Sequence, residues 1–510
     1  MIVIHSPDTS TVSHLWTGEK VSIKQFFEYV GIDTQAPCGG HGRCGKCRIY
    51  AHGEISSPTA QEFEKLTPDE LAQGLRLSCL TILQGNNVEI EIPATEKIAA
   101  EARILPSDEL WDPWASGLGL SVDIGTTTVV GYLWDLDKHQ QLGVATRRNP
   151  QESFGSDVIS RLEASLQGKS SALQKCIIQC LNELSEELCI QTQHCVEDIH
   201  AAVITGNTAM LYLLRGYNVH DLATAPFVAH HHFGKSVPAP ELGLILGQDC
   251  QVYIPPCISA YVGADISCGL LACKITQLNA PALLADIGTN GEMALALSGK
   301  ILCCSTAAGP AFEGVGISCG SGAVPGAIDR IWLSDNALST HTIGNAPART
   351  LCGSGLIDAI YCLIQIGAVE DTGFMEEESV TLQPHVTLSR QDVRALQLAK
   401  SAVCAGIQTL LSSAAVTPQQ VETVYLSGGF GTQLSPESAI GIGLLPSTFA
   451  PIIKSMGNTS AAGAALLLRS KSSWQEIEAI VSSSQTVELA GNPLFQERFM
   501  ENMILSEVVE

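Results

Sequence analysis

Basic side chains are scarce in this sequence. Its 510 residues hold 28 Lys and Arg against 52 Asp and Glu, for a formal net charge of −24 and a pI near 4.9. Non-specific grip on a nucleic-acid backbone rests on Lys and Arg, so nucleic acid is excluded as the partner. Charge of either sign is thin, at 16% of residues, where an ordinary soluble protein carries about 25%. Long apolar runs are missing too, since no stretch approaches the ~18–20 residues of a membrane helix. No leader peptide is expected either, because Met1-Ile2-Val3-Ile4-His5-Ser6-Pro7 breaks after three apolar residues. What is present is core material: 45% apolar residues and a mean hydropathy of +0.19. Together these features imply a cytoplasmic protein of two to four domains.

Cysteine is the exception to this thrift, with 18 copies. A chain this long needs no disulfides, and in a reducing compartment thiols are buried, reactive or metal-bound. Cys38, Cys44 and Cys47 are spaced C-x5-C-x2-C, and Cys79 follows after 31 intervening residues. Three thiolates on one loop and a distant fourth is the ligand logic of a 2Fe–2S cluster. Gly39, Gly40, Gly42 and Gly45 surround them and let backbone amides point at sulfur. A zinc site is the alternative, although zinc usually takes two paired C-x2-C units.

The surroundings of these cysteines read as a small β-rich domain over residues 1–95. Ile2–Ile4 and Thr11–Leu15 suggest a hairpin, and Ser22 caps an amphipathic helix over Ile23–Val30. Cys47–Ala51 and Val88–Ile92 read as strands. Thr67-Pro68-Asp69-Glu70 is a capping box opening a short helix to Ala72. Residues 96–118, with Pro and Gly breaks and two tryptophans, read as a linker.

From Leu118 the pattern changes to apolar strands alternating with Ala- and Leu-rich helices, an α/β signature. Leu120-Ser121-Val122-Asp123-Ile124-Gly125-Thr126-Thr127 recurs 163 residues later as Leu283-Leu284-Ala285-Asp286-Ile287-Gly288-Thr289-Asn290. Each copy is a strand, a tight turn and a second strand (Val129–Trp134 or Met293–Leu297), which implies two similar lobes, the second beginning near 275. Glycine in such a turn lets backbone N–H groups approach phosphate oxygens. Thr126, Thr127 and Thr128 add hydroxyl donors to the first loop, and Gly288, Thr289, Asn290 and Gly291 are the matching candidates in the second. Asp123 and Asp286 end their strands in position to hold Mg2+ through its waters. Gly428 and Gly429 follow another apolar strand and could let backbone approach an adenosine. Residues 257–271 and 457–468 read as helices rich in small residues. Gly353-Ser354-Gly355 reads as a helix start beside the nucleotide, with a plain tight turn as the alternative.

Residues 1–95 resemble a 2Fe–2S ferredoxin domain, with five residues between the first two cysteines as in the adrenodoxin-like branch. Residues 118–470 resemble the ASKHA superfamily of actin, heat-shock ATPases, and acetate and sugar kinases. That resemblance makes Asp123–Thr128 and Asp286–Gly291 the two phosphate motifs, residues 257–271 and 457–468 the connecting helices, and Gly428-Gly429 the adenosine motif. The implied fold is an α+β β-grasp ferredoxin domain followed by a two-lobed α/β ATPase domain over 119–510. Asp265 and Glu313 are further carboxylates worth inspecting as an activating base.

The combination is similar to the reductive activators of corrinoid proteins. Asn149-Pro150-Gln151, Phe154 through Arg161, Thr205 through Met210, Ala308 through Gly314 and Cys352 through Asp358 carry the match. The resemblance implies an ATP-dependent enzyme of anaerobic metabolism that reduces cob(II)alamin to cob(I)alamin on a partner corrinoid protein. It also implies an upstream electron donor and a possible homodimer. The rivals are a small-molecule kinase with a redox domain and a nucleotide-gated redox sensor. Among the other cysteines, Cys176, Cys180, Cys189 and Cys195 read as buried core thiols. Cys303, Cys304 and Cys319 offer a lesser chance of a second redox site. His230-His231-His232 reads as a solvated loop.

Overall fold

Alternation and capping build the first ninety residues into a five-stranded sheet. In the computed structural model, residues 1–6, 9–16, 18, 20–30, 32, 40, 42, 45, 47–93, 111–335, 337–428 and 434–508 are described. Strands β1 (Ile2–Ser6), β2 (Thr9–His14), β3 (Arg48–Ile55), β4 (Leu75–Leu77) and β5 (Leu83–Glu91) lie in the order β2-β1-β5-β3-β4. Only β1 and β5 run parallel. The helix Ile23–Val30 drops Ile23, Phe26 and Phe27 onto Ile2, Ile4, Ile49 and Ile90, which completes a β-grasp. Its capping box is reciprocal: Gln25 N–H donates to Ser22 Oγ (3.2 Å) and Ser22 N–H to Gln25 Oε1 (3.0 Å).

The Thr67–Glu70 box forms as the sequence suggests. A second box, Thr59 with Glu62, opens the helix Ala60–Lys65; the same Thr-x-x-Glu spacing announces it. Both strands read from the sequence are longer in the structure. β3 continues past Ala51 because Gly53, at φ +107°, lets the Asn87 carbonyl come closer than any Cβ would permit.

The chain divides into two compact units, Met1–Lys97 with Asn149–Ile177, and Ile98–Arg148 with Ile178–Glu510. Within Asn149–Ile177, Asn149 caps a short turn by accepting from Gln151 N–H (3.0 Å). Asp157 caps the helix Val158–Ala164, and fully buried Arg161 donates to the Gly155 carbonyl (2.9 Å). That string of residues is a self-consistent local turn.

The second unit repeats one design. Strands β6 (Leu118–Ile124), β7 (Thr128–Asp135) and β8 (Gln140–Arg148) form an antiparallel meander. Next to β6 lies β9 (Ile199–Gly206), parallel, and then β11 (Gln251–Ile254), parallel again; β10 (Lys235–Pro238) closes the edge. The second sheet has the meander β12 (Ala282–Ile287), β13 (Gly291–Leu297) and β14 (Lys300–Thr306). Thr423–Ser427 runs parallel beside β12, and Ile453–Gly457 parallel beside that. The 163-residue repeat is therefore a repeat of topology. Helices cover both faces of these sheets, so the strands are apolar on both sides. In β12, Leu283, Ala285 and Ile287 face one core, while Ala282 and Leu284 face another.

Several expectations change. The helix expected over 257–271 is only Ala264–Ala272. Pro255-Pro256 and a turn in which Ile258 N–H and Ser259 N–H both reach the Val262 carbonyl precede it. The other connecting helix is Thr459–Arg469, capped by Asn458. The two helices touch through their small faces: a Cβ on Gly463 would fall 2.1 Å from the Cys268 carbonyl oxygen. Residues 96–110 lie outside the described residues, and the rest of the stretch read as linker is packed. Trp114 Nε1–H donates to the Leu467 carbonyl (3.0 Å), and Arg469 lies over the rings of Trp111 and Trp134.

Most of the other cysteines are core residues. Cys303 and Cys304 point to opposite cores from β14, and burial pushes the Cys303 thiol up to about 12. Cys180 and Cys189 are buried and Cys176 partly so, whereas Cys195 is exposed, because it caps a short turn at the surface. The three consecutive histidines are exposed, but not idle: His230 pairs with Asp221 (2.8 Å) and His231 stacks on Tyr217. Among the described residues, no helix is long and apolar enough to cross a membrane.

Candidate functional site

Two places gather chemistry, one in each unit. In the first, pairing of β3 with β4 carries Ser78 N–H to the Cys47 carbonyl (2.8 Å) and brings Cys47 and Cys79 together, Sγ to Sγ 3.2 Å. That is well beyond the ~2.05 Å of a disulfide and suits two thiolates sharing a metal centre. Gly40, Gly42 and Gly45 have φ of +87°, +71° and +66°, so the loop turns where side chains rarely allow it. A Cβ on Gly40 would come 3.7 Å from Cys79 Cβ and press on Lys24, so loop backbone backs directly onto a ligand candidate. Cys38, Cys44 and Gly39 lie outside the described residues. The residues present fit a 2Fe–2S cluster.

Behind Cys79 lies a buried ion pair. Glu62, fully buried, receives Arg76 through Nε and Nη2 (both 3.0 Å), Leu77 N–H (3.0 Å) and Thr81 Oγ–H (3.2 Å). Burial alone would raise the Glu62 carboxyl, but these donors, Arg76 foremost, hold it below its ordinary value. The pair locks the segment Arg76–Thr81 that carries Cys79.

In the second unit, the two Asp-Ile-Gly-Thr turns are the hairpins β6–β7 and β12–β13. Gly125 N–H bonds the Thr128 carbonyl, and Gly288 N–H the Asn290 carbonyl, each at 2.9 Å. Gly291 opens β13 and is buried. Asp123 accepts from Asn458 Nδ2 (2.8 Å) and Ser460 Oγ (2.9 Å), at the start of the helix Thr459–Arg469. Asp286 accepts from Ser427 Oγ (2.9 Å). Gly428, at φ +91°, sits so close that a Cβ there would lie 2.8 Å from Asp286 Oδ1. Gly429 lies outside the described residues. Asn207 Nδ2 reaches Thr126 Oγ1 (3.3 Å).

Five carboxylates converge here. Burial raises Asp123; burial together with the charges of Asp123 and Glu313 lifts Asp286 to about 6. Burial and then Asp286 and Asp123 lift Asp265 to about 8, and Glu292 is raised well above its usual range by burial and by Asp265 and Asp286. Concentrated negative charge of this kind suits a hard divalent cation. Asp123 and Asp286, at the ends of their strands, are the carboxylates that would hold an ion such as Mg2+ here. The residues fit Mg2+ with a nucleotide.

Glu313, named with Asp265 as a carboxylate to inspect, does join the site, whereas Asn458, Ser460, Ser427 and Glu292 had been given no role in it. Asn458-Thr459-Ser460 carries a helix-start signal that marks the position, whereas Glu292 and Ser427 look like ordinary strand residues. Gly353 and Ser354 open the helix Gly353–Gln365, where Ser354 Oγ donates to the Asp329 carbonyl (2.9 Å). A Cβ on Gly355 would clash with the Ile328 carbonyl at 2.2 Å, so close helix packing accounts for this Gly-Ser-Gly.

Residues 280–509 match the family described as the C-terminal domain of RACo, the ASKHA domain. Residues 118–278 match the RACo middle region, and 18–84 the 2Fe-2S iron-sulfur cluster binding domain. The corrinoid activation enzyme RamQ of Eubacterium limosum is 30% identical over 435 residues, 79% of this chain and 72% of that protein. The chain belongs to the reductive activators of corrinoid proteins. The Co(II) methylated amine-specific corrinoid protein reductase of Methanosarcina barkeri is 27% identical over 391 residues, 70% of this chain and 71% of its own. A solved structure of a reductive activator for corrinoid,iron-sulfur protein aligns at a TM-score of 0.74 with 26% identity, over 99% of each chain. As a member of this family the chain joins a 2Fe–2S ferredoxin domain to an ASKHA domain for ATP and Mg2+.

Proposed function

We propose that this activator is an ATP-dependent reductase that takes cob(II)alamin on a partner corrinoid protein to cob(I)alamin, one electron at a time. The observation that carries the reading is the presence, in one chain, of the close Cys47–Cys79 pair and the twin Asp-Ile-Gly-Thr hairpins with their shared carboxylates. Cys38, Cys44, Cys47 and Cys79 are the ligands in this reading. A cluster on them supplies low-potential one-electron chemistry.

The remaining residues bind and orient nucleotide. Gly125, Thr126, Thr127 and Thr128 cradle phosphate from the first lobe, and Gly288, Thr289, Asn290 and Gly291 from the second. Asp123 and Asp286 orient the hydrated Mg2+, and Gly428-Gly429 admit the adenosine. Gly353 and Ser354, at the start of the helix Gly353–Gln365, are the remaining cofactor-binding candidates in this reading. Reduction against a potential gap loses tenfold in equilibrium for every ~59 mV. Nucleotide offsets that by favouring one arrangement of two mobile lobes over another, which requires unequal affinity for the two.

The assigned boundaries are 1–95 for the ferredoxin domain, 96–118 for the connection and 119–510 for the ATPase. We place the protein in the cytoplasm, without nucleic acid or membrane, fed by an upstream electron donor and with a homodimer as its proposed assembly. The test is anaerobic: reduced protein, MgATP and a cob(II)alamin-loaded corrinoid protein, with cobalt followed by absorption and EPR. ATP-dependent appearance of cob(I) is expected. A phosphorylated small molecule with no change at cobalt would instead favour a kinase.

A further inference from the structure

Glu313 spans both phosphate loops. Its Oε1 accepts from Thr289 N–H (2.8 Å) and from Thr289 Oγ–H (2.7 Å), while its Oε2 accepts from Thr127 Oγ–H. A Cβ on Gly288 would lie 3.4 Å from the same Oε1, so the carboxylate lies directly over the second loop. These donors, a backbone N–H beside a threonine hydroxyl and a second hydroxyl facing them, are the kind a phosphate oxygen takes.

The carboxylate is presented by a built turn. Gly309 (φ +80°) and Gly314 (φ +71°) bracket Pro310-Ala311-Phe312-Glu313, with Gly314 N–H on the Ala311 carbonyl (3.0 Å) and Val315 N–H on the Pro310 carbonyl (3.1 Å). Ala311 and Phe312 are buried beneath it. A Cβ on Gly314 would meet the Ser321 carbonyl at 2.3 Å, so the backbone is fixed and the Glu313 side chain reaches both loops from it.

We propose that Glu313 is a phosphate mimic that competes with nucleotide phosphate for Thr127 and Thr289 and so sets nucleotide affinity. The inference rests on the reading of this cleft as an ATP site. Binding phosphate displaces the carboxylate from both loops; when phosphate leaves, the carboxylate retakes them. Glu313 is a positioning residue in this account, since it acts through the two threonines.

The competition has a signature that loss of structure lacks: it grows with the number of phosphates. Titration calorimetry of the full chain with adenosine, MgADP and MgATP, for the unaltered protein, Glu313→Gln and Glu313→Ala, measures it. Glu313→Gln keeps the shape and removes the charge, so it is the deciding variant. MgATP is expected to bind it about tenfold or more tightly, about 1.4 kcal/mol, with a smaller gain for MgADP and none for adenosine. Equal or weaker MgATP binding in both variants would overturn the proposal, as would a gain shared by adenosine. Absence of ATP binding in all three proteins would instead overturn the ATP reading on which it stands.

Discussion

Asp286 offers the sharpest quantitative test. Its carboxyl is lifted from 3.8 to about 6, chiefly by burial and then by the charges of Asp123 and Glu313, against the bond from Ser427. A shift of that size corresponds to about 3 kcal/mol. The sign follows from proton count. Between pH 3.8 and 6 the folded protein holds a proton that the unfolded chain has released. This stabilising contribution is complete below 3.8, falls as the pH rises through about 6, and is gone above it.

In Asp286→Asn the residue carries no charge at any pH. The difference between parent and variant should therefore be small near pH 4 and grow to about 3 kcal/mol in the variant's favour by pH 7–8. Urea unfolding followed by tryptophan fluorescence measures it, because Trp111, Trp114, Trp134, Trp332 and Trp474 all lie in this unit. Mg2+ selects ionised carboxylates, so millimolar MgATP should stabilise the parent at pH 8 more than it stabilises the variant. Parallel stability curves for the two proteins from pH 4 to 8 would refute the buried-charge account of this cleft.

Other outcomes follow from the same structure. Cys44→Ala or Cys79→Ser should abolish the visible spectrum of the cluster; full retention in either would mean that the wrong thiols were chosen. Glu62→Gln strands Arg76 and should cost about 3–5 kcal/mol, read as earlier thermal bleaching of the cluster. Because Glu62 is held below its ordinary value, its contribution is complete above that value and is lost as the pH falls through the lowered one, so the parent should bleach more readily in acid. Gly463→Val drives a side chain into the Cys268 backbone and should lower stability by 3 kcal/mol or so, visible as insolubility or a strongly reduced melting temperature. Under native conditions an aromatic disulfide reagent should label Cys195 within seconds while Cys303 and Cys304 react only on unfolding.

Local chemistry was legible wherever it was written in adjacent residues. The boxes Ser22–Gln25 and Thr67–Glu70 formed because their partners are three positions apart. The repeat around Asp123 and Asp286 announced twin hairpins because an apolar run, an Asp and a Gly-Thr turn are contiguous. The helix read over 257–271 went too far toward its start, since small residues suit a close-packed turn as well as a helix. The expectation that Cys195 is buried failed because the helix Ser170–Thr192 ends before it, and polar Gln193, His194, Glu197 and Asp198 surround it in sequence.

By itself, then, the sequence determined the components: four spaced cysteines, two Asp-Ile-Gly-Thr turns, small-faced helices and an acidic composition. Only the tertiary structure decided which of those components meet. Nothing in linear order brings Glu313 to Thr127, 186 positions away, or Asn458 to Asp123. Those contacts come from sheets whose parallel neighbours are joined by long crossovers, and burial within them, not residue type, lifts Asp265 and Asp286 out of the ordinary carboxylate range.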